Sequence, residues 1–349
     1  MRAPPARRSP RGPSRRCPAT AWHGLAAALL LILAAGIAPA WADDADDGRV
    51  VVEAMEYPWS AIGRVNAGGR GYCTGFLIGP RHVMTAAHCL YDFTEGRWRG
   101  ANELHFVAGY QRDQYLIHSK VARYQAARRF DLAERHDTDN TVHDWAVLTL
   151  QEPIGRTAGW LGLMDLGSAS LQTLIADRRQ IVQAGYRSGR AHAMTVNPGC
   201  RVLRQFAGGG GLLHDCAVYP GDSGSPLLLF AGDEVHVIAM EVHLLRVDGH
   251  ALGAALAMSA FRGGNAQADQ ALAEAGQVWQ SGRPPGSGSP AASLPNGTID
   301  HLLTRLGYLA AGSAEERDAA IRAFEADQGL SVTGAPSLAL MTRLLTAQR

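Results

Sequence analysis

The stretch YPGDSGSP at residues 219–226 places Ser223 between an aspartate and a glycine, directly before the apolar run Leu227–Phe230. Glycine-rich turns of this kind are common, so the stretch gains its meaning from two motifs upstream. TAAHC at residues 85–89 supplies His88, and DWAVL at residues 144–148 supplies Asp144 at the head of an apolar strand. The chain order His, Asp, Ser is one of three known for nucleophilic serine triads. The pattern predicts that the fold brings these three residues together.

The three side chains have complementary chemical roles in this prediction. A serine hydroxyl is a poor nucleophile at neutral pH and needs a base within hydrogen-bond reach. His88 can take the proton of Ser223 and return it to the leaving group, while Asp144 holds the imidazole in the required tautomer. The backbone N–H groups of Gly221 and Ser223 are the predicted donors to the developing oxyanion.

Composition and charge limit the classes of partner that the chain is expected to bind. The chain has 349 residues, enough for two domains, and its 33 Lys and Arg residues nearly balance its 32 Asp and Glu residues. This balance gives no reason to expect a nucleic-acid partner. We expect no cofactor and no metal, since the histidines do not have the spacing that is typical of metal ligands. These histidines are His82, His105, His136 and His143.

The N-terminus has the layout of a secretory signal peptide over residues 1–42. An arginine-rich start is followed by the apolar run Leu25–Ala38, the small-x-small pattern Ala40–Ala42 and an acidic stretch. The alternative is a retained membrane anchor, but the apolar run is shorter than the roughly 20 residues needed to cross a bilayer. We therefore expect export without a retained anchor, to the periplasm or the extracellular medium.

Export also decides how the cysteines are used. Cys17 would leave with the signal peptide, so four cysteines remain, and an oxidising compartment favours disulfides over metal ligation. Four cysteines allow three sets of pairings. We favour the local pairs, Cys73–Cys89 and Cys200–Cys216.

Short apolar runs separated by glycine and proline continue from residue 50 to about residue 260 and predict a β-barrel or β-sandwich. The polar residues 112–140 are expected to form a long surface connection. A helix is expected over Ala266–Gln280, followed by a Pro/Gly/Ser-rich linker at 281–295. From residue 296 to 349 the apolar residues recur with helical spacing, which predicts a small three-helix domain.

The three motifs around His88, Asp144 and Ser223 resemble the catalytic motifs of chymotrypsin/trypsin-fold serine proteases. Cys73 matches the cysteine that, in that family, bonds to the cysteine after the catalytic histidine, here Cys89. The resemblance implies a mainly β fold of two six-stranded barrels over residues 50–280, with the site in the cleft between them. It also implies an endopeptidase that acts on protein or peptide substrates.

Within that family the chain resembles bacterial glutamyl-endopeptidase-like enzymes, but the predicted specificity pocket departs from the known patterns. The basic specificity of trypsin relies on an aspartate where this chain has Ala217. The glutamyl enzymes use a serine or threonine where it has Val218, and a histidine where it has Glu241. Ala217 and Val218 would form an apolar wall. Glu241 would favour a basic substrate side chain if it faced the pocket; the alternative is an outward-facing strand residue.

The resemblance also raises the question of activation. In much of the family, an N-terminal amine freed by cleavage pairs with the aspartate before the serine, here Asp222. The sequence Arg49-Val50-Val51 resembles a processing site, so residues 43–49 could be a short propeptide and Val50 the new N-terminus. The alternative is that Arg49 is ordinary polar chain before a strand.

The C-terminal region resembles a small peptidoglycan-binding domain, through motifs that include Ala320–Leu330. This resemblance predicts peptidoglycan as a partner of residues 296–349, and the alternative is a helical appendage that only packs. Together the motifs predict an exported serine endopeptidase, tethered to the cell wall if the appendage binds it. Two alternatives are a non-catalytic wall-binding protein with a protease-like barrel, and an esterase or wall-peptide hydrolase that uses the same triad.

Overall fold

The computed structural model describes residues 48–69, 71–261, 266–276, 278–284, 295–310 and 313–348. The predicted signal peptide and most of the predicted linker lie outside these residues. Contacts divide the chain at residue 45, and residues 46–349 form one compact unit. No helix of the described residues is long and apolar enough to cross a membrane.

Six of the nine strands described in the first half of the chain form a closed barrel. The nine strands are β1 (Val50–Val51), β2 (Ile62–Ala67), β3 (Tyr72–Leu77), β4 (His82–Thr85), β5 (Tyr91–Asp92), β6 (Arg97–Trp98), β7 (Leu104–Ala108), β8 (Ile117–Ala126) and β9 (Ala146–Leu150). The barrel runs β2-β3-β4-β9-β8-β7 and closes by pairing β7 with β2. The strands β5 and β6 make a separate hairpin.

The strands of the second half form a second barrel. They are β10 (Gly162–Leu163), β11 (Gln180–Gly185), β12 (Thr195–Phe206), β13 (Gly211–His214), β14 (Pro226–Ala231), β15 (Glu234–Val247) and β16 (His250–Ala257). Six of them close a ring in the order β12-β11-β14-β15-β16-β13, because β13 pairs with both β16 and β12. Strand β1 pairs with β12, and β10 pairs with β15. The predicted mainly β fold with two six-stranded barrels is confirmed.

The described residues form seven short α-helices, and three of them follow the predicted linker. They are α1 (Thr138–Thr141), α2 (Gly155–Ala158), α3 (Gly167–Ala176), α4 (Ala266–Ala275), α5 (Asn296–Arg305), α6 (Arg317–Asp327) and α7 (Leu338–Thr346). The apolar residues of α5–α7 join the same buried cluster as the core of the first barrel. The carboxylate of Glu56 accepts hydrogen bonds from the N–H groups of Gly297 and Thr298, at 2.7 and 3.1 Å. These bonds tie the start of α5 to the segment that precedes β2. The predicted domain boundary at residue 281 stays a prediction.

The expected long surface connection over residues 112–140 contains a strand of the first barrel, because β8 occupies ten of these residues. Only Ser119 and Val121 in this strand are fully buried, whereas His118, Lys120 and Arg123 are exposed. A strand on a barrel has one face toward solvent, where polar side chains cost nothing. The sequence shows the outer face of β8 clearly and gives little sign of its inner face.

Candidate active site

Asp144 holds His88 by two hydrogen bonds. His88 lies in a 3₁₀ turn, Ala87–Leu90, that follows β4, and Asp144 lies two residues before β9. Because β4 and β9 are paired in the barrel, the two residues meet at the same end of the sheet. The Nδ1 atom of His88 lies 2.6 Å from Oδ2 of Asp144, and the His88 backbone N–H donates to Oδ1 at 2.9 Å. Asp144 is buried, which fixes the orientation of the ring.

Ser223 lies on a turn that two glycines allow. Gly221 and Gly224 have φ angles of +97° and +82°, values that side chains disfavour. A Cβ at residue 224 would overlap the carbonyl oxygen of Thr74 and the hydroxyl of Thr85. At residue 224 the backbone of the second barrel therefore lies so close to the first barrel that only glycine fits. Ser223 directly precedes this glycine.

Thr74 of β3 links this turn to the first barrel. Its N–H donates to the carbonyl oxygen of Ser223 at 3.0 Å, and its hydroxyl donates to the carbonyl oxygen of Gly221 at 2.8 Å. The neighbouring Cys73 is bonded to Cys89, the residue after His88. These contacts hold the serine turn and the histidine turn against the same strand, so the site is built across both barrels.

Ser223 and His88 line one cavity of about 490 Å³. Among the described residues, no hydrogen bond joins the Ser223 hydroxyl to the ring of His88, and such bonds often tighten only when substrate is present. The Cys89 sulfur lies 3.8 Å from Nε2 of His88 and 3.9 Å from the carbonyl oxygen of Ser223. Nε2 of His88, the ring nitrogen that is not bonded to Asp144, and the backbone of Ser223 therefore both lie close to the sulfur of Cys89.

The two predicted oxyanion donors are available. Within the described part of the chain, neither the N–H of Gly221 nor that of Ser223 donates to an acceptor of the protein. Two backbone N–H groups without an acceptor, on a turn that lines a cavity, can donate to an oxygen that carries negative charge. This arrangement can stabilise an oxyanion beside the serine.

The structure places only one of the three predicted pocket residues on the cavity wall. Val218 lines the cavity, but Ala217 does not, and its carbonyl oxygen accepts from Nη1 of Arg49 at 3.1 Å. Glu241 is fully buried, and its Oε2 lies 2.6 Å from Nε2 of His214. Burial raises the pKa of the Glu241 carboxyl, against the opposing charge of His214. Glu241 therefore neither faces the cavity nor points to solvent.

Asp222 is paired with a side chain of the uncut chain. Its carboxylate accepts from both terminal nitrogens of Arg49, at 2.8 and 3.1 Å, and from the N–H of Tyr219 at 3.0 Å. Val50, whose amine was the predicted partner, is the first residue of β1 and pairs with Val196 of β12. In the uncut chain the cation that pairs with Asp222 is therefore the guanidinium of Arg49, and the pairing of Asp222 with a freed Val50 amine stays a prediction.

Several residues of the cavity were not predicted from the sequence. His136, Arg135 and Phe93 line it from the first barrel, and Val242, His243 and Leu244 line it from β15. The rings of His136 and His243 lie edge to face with centroids 5.8 Å apart. Their only signal in the sequence is that they lie a few residues from His88, Asp144 or Glu241. A further cavity of about 780 Å³ contains none of the three predicted catalytic residues.

The described residues contain one cluster whose atoms could hold a metal ion, Cys73, His88 and Cys89. The two sulfurs of this cluster are joined in a disulfide, and a metal ligand needs the thiolate form. The second predicted disulfide, Cys200–Cys216, is also present and closes the base of the β12–β13 hairpin.

Residues 73–240 match the family model described as trypsin-like peptidase domain. The chain is 31% identical over 130 residues to the glutamyl endopeptidase of Bacillus licheniformis, which is 37% of this chain and 39% of that protein. It is 29% identical over 98 residues to the extracellular metalloprotease of Bacillus subtilis, 28% of this chain and 29% of that protein. The matches span less than half the length of either relative.

The fold is also found among solved structures. A structure of Glu endopeptidase in complex with MPD superposes on this chain with a TM-score of 0.51 and 19% sequence identity. The superposition covers 66% of this chain and 98% of the other. At this identity the likeness establishes the two-barrel fold.

The contact between His88 and Asp144 predicts the direction in which the His88 pKa is shifted. Burial lowers the pKa of His88, but the charge of Asp144 and its hydrogen bond outweigh burial and hold it above the usual 6.5. In Asp144→Asn burial and the positive charge of Arg135 remain, and both lower the pKa, so we expect the His88 pKa to fall below 6.5. Titration of the histidine rings by NMR measures both values.

His243 is a second ring to follow in this titration. Burial lowers its pKa to about 4, so in the wild type it should titrate well below His88, and losing the charge of Asp144 should lower its pKa further. An unchanged His88 pKa in Asp144→Asn would contradict the assignment of Asp144 as the group that controls His88.

Proposed function

We propose that this chain is an exported serine endopeptidase that hydrolyses peptide bonds through an acyl-enzyme on Ser223. The observation that carries the proposal is the buried Asp144 carboxylate bonded to His88 at 2.6 Å, at the edge of a cavity that Ser223 also lines. The match of residues 73–240 to a trypsin-like peptidase domain supports it. Export rests on the two disulfides and on the sequence of residues 1–42.

In the proposed reaction, Nε2 of His88 removes the hydroxyl proton of Ser223 as the oxygen attacks the substrate carbonyl carbon. The negative charge that develops on the carbonyl oxygen is stabilised by the N–H groups of Gly221 and Ser223. His88, now charged and stabilised by Asp144, gives the proton to the leaving amine. A water molecule activated by His88 then hydrolyses the ester on Ser223 and regenerates the free serine.

The serine mechanism is favoured over a metal mechanism by the site itself. One relative is named a metalloprotease, but the potential metal cluster of the described residues has its two sulfurs in a disulfide. Ser223 lies on a turn where its own N–H and that of Gly221 have no acceptor among the described residues. A serine in this setting is instead suited to acyl transfer. We therefore assign the hydrolytic step to Ser223.

The proposed activity is tested by covalent labelling and by turnover. The wild-type protein should react with a fluorophosphonate probe and hydrolyse casein, because both need the activated hydroxyl of Ser223. In Ser223→Ala we expect no labelling and a loss of turnover by a factor of about 10⁶.

Ser225→Ala serves as the matched control, since this buried serine lies two residues away and its hydroxyl accepts from Gln183 at 2.9 Å, away from the cavity. Labelling should persist in this variant. A wild-type protein that is folded but neither labelled nor active would support a non-catalytic binding protein instead, and labelling with hydrolysis of esters alone would support an esterase.

The cavity also supports a proposal about the substrate side chain. Among the described residues that line it none is a carboxylate, whereas Arg135 carries a positive charge and the imidazoles of His88, His136 and His243 can form hydrogen bonds. The Arg135 guanidinium carbon lies 5.3 Å from the ring centroid of Phe93, which holds the cation at the rim of the cavity. We propose that the cavity accepts an acidic substrate side chain in preference to a basic one, which agrees with the name of the first relative, glutamyl endopeptidase.

This preference is measured with a pair of peptide substrates that differ only in Glu or Lys before the cleaved bond. We expect a higher kcat/KM for the Glu peptide than for the Lys peptide. Arg135→Gln should reduce the ratio of these two kcat/KM values, because the positive charge of the guanidinium is removed. Hydrolysis of the Lys peptide at an equal or higher rate would contradict the proposal.

Wall tethering through residues 296–349 is a separate proposal, supported by the resemblance of these residues to a peptidoglycan-binding domain. In the described residues, the apolar faces of α5–α7 are covered by packing, so a glycan would have to bind their polar faces. Sedimentation of the full-length Ser223→Ala protein with insoluble peptidoglycan tests this proposal. Protein that stays in the supernatant would contradict it.

A further inference from the structure

Arg49 is a buried arginine whose contacts all converge on the segment behind Ser223. It is 3% exposed, and the Asp222 side chain that it binds is fully buried. The two terminal nitrogens of the guanidinium meet the two carboxylate oxygens of Asp222 at 2.8 and 3.1 Å. A two-point contact of this kind fixes the direction of the carboxylate as well as its charge.

The other donors of Arg49 are also used. Its Nε donates to the hydroxyl of Thr195 at 3.0 Å, and its terminal nitrogens donate to Gln183, Ala217 and the Thr195 carbonyl at 3.1–3.2 Å. The strand β1, which begins at the next residue, pairs with Val196 and Thr195 of β12. Arg49 is therefore held in place by the second barrel through both its backbone neighbours and its side chain.

The Asp222 carboxylate orients the turn that carries the proposed oxyanion donors. The Oδ2 atom of Asp222 accepts from the N–H of Tyr219, and the backbone carbonyl of Asp222 accepts from the N–H of Ser225 at 2.8 Å. The residues between these two bonds include Gly221 and Ser223, whose N–H groups point to no acceptor in the described residues. A change in the direction of Asp222 would move both N–H groups.

We infer that Arg49 is a positioning residue for the proposed oxyanion site, and that the chain with an intact Arg49–Val50 bond is the active form. The guanidinium supplies within the uncut chain the positive charge that Asp222 needs. This inference rests on the proposed peptidase activity of Ser223. It replaces the expectation that cleavage after Arg49 activates the protein.

Burial of Arg49 also argues against that cleavage. Proteolysis acts on exposed, flexible segments, whereas Arg49 and Val50 are both buried and Val50 belongs to a paired strand. A cut after Arg49 would also detach the guanidinium from the chain that carries Asp222.

The test compares kinetics of the wild-type chain, with the Arg49–Val50 bond shown intact by mass spectrometry, with those of Arg49→Ala. We expect the intact wild type to be active. In Arg49→Ala we expect kcat to fall by about 10²–10³, the effect of losing an oxyanion donor. The KM should change by less than about threefold, because Arg49 does not line the cavity.

Three further measurements separate positioning from a purely structural role. Guanidinium ion at millimolar concentration should raise the kcat of Arg49→Ala at least tenfold. Arg49→Lys should keep kcat within about tenfold of wild type. Both changes return a cation to Asp222. Arg123→Ala is the matched control, because it removes an exposed arginine paired with Glu274 at 2.6 Å. It should leave kcat unchanged.

Removing one partner of a buried ion pair can prevent folding, so the double variant Arg49→Met/Asp222→Asn, which removes both charges, carries the same test. A folded double variant with reduced kcat supports the inference, and one with wild-type kcat overturns it. Activity that appears only after cleavage at residue 49, or an Arg49→Ala protein with wild-type kcat, also overturns it. A wild type inactive in both forms would overturn the proposed function and this inference with it.

Discussion

The arrangement of the site depends on a carboxylate that is buried directly before the serine. A charged group buried in a protein costs several kcal/mol unless hydrogen bonds and an opposite charge offset the loss of water. Asp222 obtains both from Arg49 and a further hydrogen bond from the N–H of Tyr219. Because Arg49 is itself bound to Thr195 of β12, its contact with Asp222 ties the turn between Tyr219 and Ser225 to the second barrel. The serine and the two acceptor-free N–H groups lie on that turn.

The first barrel adds the base and closes the site. Thr74 binds the carbonyl oxygens of Gly221 and Ser223, and its own carbonyl accepts from the hydroxyl of Thr85 at 2.8 Å. Thr85 ends the strand β4, and the turn with His88 follows it. One short path of hydrogen bonds therefore links the serine turn to the histidine turn. Rigid strands carry each part, which is why residues far apart in the chain can be held in a fixed geometry.

The sequence predicted the parts of the site that carry short motifs. His88, Asp144 and Ser223 each stand in a distinctive local pattern, and their chain order supplied the relation between them. The inner face of β8 was missed because only Ser119 and Val121 mark it. The environment of Glu241 was missed for a related reason. Strand alternation says which residues share a face, but it does not say that a buried glutamate has His214 as its partner.

The pairing of Arg49 with Asp222 illustrates what a single sequence cannot provide. The two residues are 173 positions apart, and an arginine before a valine pair is equally typical of a processing site. Only the closed second barrel brings β1 beside β12 and the guanidinium to the carboxylate.

We propose that Ser223 is activated in a chain that keeps Arg49. Mass spectrometry of fluorophosphonate-treated protein, with fragments mapped to the sequence, measures both points in one molecule. We expect a single adduct on Ser223 in chains whose N-terminus lies before Arg49. An adduct on another residue, or one confined to chains that begin at Val50, would contradict it.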